Sequence, residues 1–227
     1  MTAPPMTTGS RLVHFVRLLL GAVYLVNGLN WFFKIITPYP SRSDFVDFLP
    51  PPDVVGAMIE QGLLFNAAKA IELVSGLLLL SNRLVPLMLV VSMSVTVPVF
   101  MVDVFKPEFR LRAFLMGTGS LVMNLTLLMA NVEHYKSMLV LRSRPDVTSR
   151  AMAAADEDPL APAVAGLCRL LLLPATVLSI ALGLVMAGWL ATMIVEHAIA
   201  PQAIYEVRPL KLRPGHVAPA GALPSPA

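Results

Sequence analysis

Apolar residues fall into five long runs, and the polar residues between them are gathered into short turns or proline-rich segments. The runs extend from the region of Arg11 to Ile36, from Gly62 to Leu80, from Leu84 to Val102, from Ala113 to Ala130 and from Leu170 to Val195. Each is close to or beyond the roughly 20 residues an α-helix needs to cross the hydrocarbon of a bilayer. Backbone N–H and C=O groups find no water there, so a spanning segment with no strand alternation must be helical. The pattern therefore predicts an all-α membrane protein, a four-transmembrane-helix bundle plus a fifth, peripheral C-terminal transmembrane helix. The first run follows a basic stretch, as a secretory leader would. It offers no small-x-small cleavage site at Asn27–Lys34, and further spans follow, so it reads as a retained helix.

The interruptions divide the chain. Residues 11–141 form the four-helix unit, 142–162 a mobile linker that is basic as far as Arg150 and acidic from Ala151 to Pro162, 163–197 the fifth helix and 198–227 a disordered proline-rich tail. Within the first unit, Thr37–Gln61 is the longest connection. It holds Pro38, Pro40 and the triplet Pro50-Pro51-Pro52, which no continuous helix survives. Between them Asp44–Leu49 reads as a short amphipathic segment at the bilayer surface, and Asp53 as an N-cap leading toward the second span. Ser81-Asn82-Arg83 is a very tight turn. Pro86 is tolerated in the first turn of the third span, whereas Pro98 is expected to kink its far end. Gly117-Thr118-Gly119-Ser120 in the fourth run permits close helix approach.

Composition agrees with the pattern: 56% of the 227 residues are hydrophobic and only 14% are charged, and the mean hydropathy is +0.73. A net charge of +3 in such a chain reports membrane orientation rather than nucleic-acid binding. With the N-terminus inside, Arg11, Arg17, Arg83, Lys136, Arg142, Arg144 and Arg150 are cytoplasmic. Lys34, Arg42, Lys106, Arg110 and Arg112 lie outside, so the balance favours that orientation and a bacterial inner (plasma) membrane. The basic tail, with Arg208, Lys211 and Arg213, runs against it if the fifth helix crosses fully.

The polar residues inside the runs are the candidate chemistry. Asn66, Lys69 and Glu72 sit at i, i+3 and i+6 of the second run and share one broad helical face. A charge at membrane depth costs roughly 2.5–3.5 kcal/mol on insertion scales, so it needs a partner or a water-filled cavity. Lys69 and Glu72 can pair across adjacent turns. Asn27, Asn30 and Lys34 form a stripe at i, i+3 and i+7 of the first run, with Trp31 suited to the interfacial aromatic belt. Asn124 is a further polar group at mid-membrane. Interhelical bonding and ligand binding are both open for this set.

Other chemistry is sparse. Cys168 is the single cysteine, so no intrachain disulfide or Cys-x-x-Cys pair exists; it reads as a passive small residue. His14 and His134 fall near the same membrane edge, the one pairing that could ligate haem, but without a defined axial arrangement. His197 and His216 lack metal-ligand spacing with any other residue. No metal or haem motif stands out.

The stretch Arg17-Leu18-Leu19-Leu20-Gly21 leading to Asn27-Gly28-Leu29-Asn30, with Ala70-Ile71-Glu72-Leu73-Val74-Ser75-Gly76-Leu77-Leu78-Leu79-Leu80 and then Asn82-Arg83, resembles the DoxX family of small four-helix membrane proteins. The resemblance covers roughly residues 11–141; the acidic linker, the fifth helix and the tail are extra to the family pattern. The family takes its name from a subunit of an archaeal quinol oxidase/thiosulfate:quinone oxidoreductase complex. Mycobacterial members are linked to oxidative-stress complexes, and most members have no assigned activity. The resemblance implies Asn27, Asn30 and Glu72 as family-type polar positions; Lys69 and Lys34 stand on physical grounds alone. It also implies a quinone-like ligand and partners among membrane oxidoreductase subunits; the apolar runs make the lipid bilayer a partner in any case, and a homo-oligomer is open. Three classes of function follow: a subunit binding a quinone-like hydrophobic carrier, a small solute or proton transporter, and an assembly subunit whose polar face joins helices.

Overall fold

The computed structural model describes residues 8–33, 62–105, 111–138 and 160–199. Among these residues all regular structure is helical: α1 (Thr8–Phe33), α2 (Leu63–Leu80), α3 (Val85–Val104), α4 (Leu111–Ala130), a 3-10 segment (Val132–Met138) and α5 (Leu160–Ile199). Five helices are long and apolar enough to cross a membrane, as the sequence pattern predicts, and the chain is read as an integral membrane protein. The amphipathic segment at Asp44–Leu49, the proline triplet, the Asp53 cap, Lys34, the loop at 106–110 and the basic stretch at 142–150 lie outside the described residues. So do most of the acidic linker, the proline-rich tail and His216, together with the side chain of His197.

α1 packs on α2, α2 on α3, α3 on α4, and α4 returns to α1, which closes the four-helix bundle. The inward stripe of α3 shows how the fold selects its faces. Val85, Met88, Leu89, Ser92, Val95 and Thr96 are buried, at the three- and four-residue steps that keep side chains on one helical face. Val16, Leu20, Val23 and Tyr24 of α1 meet Leu79, Leu89, Met123 and Leu127 in the central cluster. The remaining helical surface carries exposed Leu, Val and Phe side chains, as a lipid-facing surface does.

α1 and α2 approach closely because small residues line their crossing. A Cβ on Gly76 would lie 2.5 Å from the Leu25 amide nitrogen, and one on Gly28 would lie 2.9 Å from Leu73 Cα. No side chain fits at either place, so the two backbones are in near contact. That proximity lets short side chains reach across from one helix to the other.

The α2–α3 turn is closed by its own backbone. Asn82 adopts a left-handed conformation (φ 57°), its N–H bonds to Leu79 C=O at 3.2 Å, and the Arg83 N–H bonds to Leu78 C=O at 2.9 Å. This is the Schellman arrangement, with asparagine in the position usually held by glycine. Arg17 of α1 adds a cap from outside, its guanidinium donating to Leu79 C=O and lying 3.0 Å from His14 Nδ1. α3 is continuous through Pro98 as far as Val104; the residue removes one backbone donor without ending the helix.

α5 is the least buried of the five spans, as a peripheral helix is, yet it is closely fitted to the bundle. It lies against both α1 and α4 and places Met186 in the central cluster. A Cβ on Gly119 would fall 2.3 Å from Met186 Sδ, so α4 provides a notch that a larger residue would fill. Thr126 and Ser179 hydroxyls lie 2.8 Å apart across the same contact. α5 is also longer than its apolar core predicts. It begins at Leu160, within the stretch read as linker, and Pro174 lies well inside it rather than in its first turns. The added turns are anchored, since Ala161 and Ala165 are buried and α5 touches the 3-10 segment. Forty helical residues span about 60 Å, twice the thickness of bilayer hydrocarbon.

Candidate functional site

Glu72 sits on the inward stripe of α2 with Phe65, Lys69, Ser75, Gly76 and Leu79. Only 4% of Glu72 and 4% of Lys69 remains exposed, which settles that this pair turns inward. Lys69 Nζ lies 2.8 Å from Glu72 Oε2. The three-residue spacing puts the ammonium one turn before the carboxylate on the same face. Across the close α1–α2 crossing, Asn27 Nδ2 donates to the same Oε2 at 2.8 Å. Among the described residues, no donor reaches Glu72 Oε1. One carboxylate oxygen thus accepts two strong hydrogen bonds while the other keeps its acceptor capacity.

An aromatic wall adjoins the triad. Trp31 and Phe65 rings meet edge to face, with centroids 4.5 Å apart, a favoured geometry for aromatic pairs. Lys69 Nζ lies 5.5 Å from the Phe65 ring centroid, within cation–π range. Asn66 accepts from Trp31 Nε1 at 2.8 Å, but it is exposed. It therefore belongs to the rim and not to the buried set; its three-residue offset from Lys69 brings it to the edge of the stripe. Trp31 is likewise tied to α2 as well as placed near a helix end. Asn30 is buried one turn beyond Asn27.

Asn124 forms a second polar group, deeper in the bundle. Its Nδ2 donates to Tyr24 Oη at 3.1 Å and to Ser92 Oγ at 2.8 Å. Tyr24 Oη and Thr96 Oγ1 lie 2.5 Å apart, Thr96 donates to Ser92 C=O at 2.8 Å, and Ser92 donates to Leu89 C=O at 3.1 Å. Following the protons, the Thr96 hydroxyl is committed to a backbone carbonyl, so Tyr24 donates to Thr96 and accepts from Asn124. Every donor in this group is satisfied. Asn124 Oδ1 has no partner among the described residues.

The six candidate residues thus separate. Asn27, Lys69 and Glu72 form one bonded triad with Asn30 nearby, Asn66 lies on the rim, and Asn124 belongs to another network. Tyr24, Ser92 and Thr96 are buried polar residues that the sequence reading did not single out, and Arg17, read there as a cytoplasmic flanking charge, is buried as well. Their signal was available in part. Tyr24 lies three residues before Asn27 on the same stripe of α1, and Ser92 and Thr96 are four residues apart on α3. His14 is exposed and bonded to Arg17, His134 is exposed in the 3-10 segment, and Cys168 is half-buried. No group of three or more His, Cys, Asp or Glu side chains suited to a metal ion occurs among the described residues.

No protein-family model, curated protein or solved structure matches this chain.

Proposed function

We propose that this chain is a DoxX-like membrane subunit that binds a small lipophilic carrier of the quinone/hydroquinone class at the α1–α2 polar site and presents it to a partner oxidoreductase. The observation that carries this reading is the division of labour on Glu72. Oε2 is held by Lys69 and Asn27, while Oε1 takes no donor from the described residues. A buried acceptor of that kind suits a ring hydroxyl. The Trp31–Phe65 pair provides an adjoining face for an aromatic ring, and the apolar outer surfaces of α1 and α2 suit a hydrocarbon tail. Lys69 neutralises the carboxylate, Asn27 fixes its rotamer, and in this reading Asn30, one turn further along α1, orients the other end of the ring. Electron transfer belongs to a redox centre on the partner. The arginine and lysine distribution supports an N-inside orientation in a bacterial inner membrane, with this site toward the outer half of the bundle.

A second reading is supported by the same triad: Asn27 spends a donor on Glu72 across the crossing, as it would if its task were only to join α1 to α2, and Lys69 on α2 itself then serves only to neutralise that carboxylate. Purification in mild detergent, with mass spectrometry of co-purifying small molecules, separates the two. The first reading expects near-stoichiometric lipophilic ring compound on the wild-type chain, lost in a folded Glu72→Gln variant. A wild-type protein that carries no such compound overturns it.

A further inference from the structure

We propose a binding site for the phosphate headgroup of an anionic phospholipid at the other end of the molecule, between the start of α1, the end of α4 and the first third of α5. A cavity of about 400 Å³ opens there, lined by Gly9, Ser10, Leu12, Val13, Ala130, Arg169, Leu172, Leu173 and Thr176. It is separate from the Glu72 site, since Ser10 and Asn27 are about 25 Å apart along α1. The volume is too small for a whole lipid and suits a headgroup with its glycerol.

Three features identify the occupant. The lining is layered as a bilayer edge is, with Gly9, Ser10 and Arg169 on the polar side and Leu12, Val13, Leu172 and Leu173 on the apolar side. Next, the cavity continues onto apolar helix surface, because Leu170 and Leu173 are among the most exposed leucines of α5 and can guide acyl chains toward the membrane. The charge also fits. Arg169 spends Nη2 on Glu133 Oε1 at 3.0 Å, and its remaining N–H groups have no partner among the described residues. Arg11, one residue beyond Ser10, is exposed, and α1 has no acidic residue in its first turn to oppose an anion. Basic pockets between transmembrane helices at the cytoplasmic edge are ordinary sites for anionic headgroups. Among the described residues Glu133 is the one opposing charge at this cavity, and it competes with the phosphate for the same guanidinium.

That competition makes the proposal testable. The full chain, purified in mild detergent, is mixed with equal amounts of phosphatidylglycerol and phosphatidylcholine of identical acyl chains, and retained lipid is counted by native mass spectrometry. Wild type should retain phosphatidylglycerol preferentially. Arg169→Gln should reduce that preference roughly five-fold, the effect of one cation near an anionic headgroup, and Glu133→Gln should increase it. The ion pair is exposed on both sides (74% and 47%), so both variants should fold, and thermal unfolding in detergent checks this. Arg83→Gln, at an exposed arginine in the α2–α3 turn, should leave the preference unchanged. Equal retention of the two lipids by wild type overturns the proposal. So does a shift in the same direction for Arg169→Gln and Glu133→Gln, which is what a merely structural ion pair would give.

Discussion

The two buried polar networks solve the same problem in different ways. Between α1 and α2, Lys69, Glu72 and Asn27 place full charges at membrane depth and stabilise them by pairing. In the centre of the bundle, Tyr24, Ser92, Thr96 and Asn124 are all neutral, and each hydroxyl proton ends on a named acceptor. The difference teaches where change is tolerated. Removing one member of a neutral network forfeits hydrogen bonds, whereas removing one member of an ion pair strands a charge. The charged network also keeps an acceptor, Glu72 Oε1, beside an aromatic pair. The neutral network's one acceptor without a partner among the described residues, Asn124 Oδ1, lies in fully buried packing.

The sharpest way to break this contrast is to separate the ion pair. Lys69→Met should destabilise the bundle by about 3–5 kcal/mol, the usual cost of an uncompensated buried charge, measured by unfolding in detergent. The double variant Lys69→Met/Glu72→Gln should recover most of that loss. If it also recovers ligand content and activity in full, Glu72 has no role beyond structure.

Gly76→Ala comes next. Its methyl group would meet the Leu25 backbone nitrogen at 2.5 Å, so α1 and α2 must move apart, at about 1–3 kcal/mol for overpacking. Because Asn27 must reach Glu72 across that crossing, the variant should lose ligand as well as stability. Retention of wild-type ligand content would show that close approach does not build the site.

Tyr24→Phe and Asn124→Leu test the neutral network. Each should cost about 0.6–1.7 kcal/mol, the range for polar contacts between membrane helices, well below Lys69→Met. Neither should remove ligand from the α1–α2 site. A loss as large as that of Lys69→Met would erase the distinction between the two networks.

The smallest effect concerns Tyr135, in the 3-10 segment outside the spans. Its hydroxyl donates to Pro86 C=O at 2.7 Å, and partial burial raises its pKa above the ordinary tyrosine value. The fold thus favours the neutral phenol. Its contribution is complete below the unfolded-state pKa of about 10 and declines as pH rises through the folded value. Unfolding from pH 8 to 11 should therefore show a slightly steeper alkaline loss in wild type than in Tyr135→Phe.

Hydrophobic run length alone determined the five helices, because a backbone surrounded by hydrocarbon has no alternative to internal hydrogen bonding. Spacing alone also determined that Lys69 and Glu72 share a face, since both lie on one helix and local periodicity brings them together. Partners from other helices were beyond its reach. Asn27 and Asn124 look alike in sequence, each an amide within a leucine-rich span. Only the packing of Gly76 against α1 gives the first to Glu72, and only the four-helix closure gives the second to Tyr24 and Ser92. The role of α5 was decided in the same way. Its uniform apolarity gives no face to prefer, and the notch at Gly119 seats a residue, Met186, that lies more than 60 positions away in the chain.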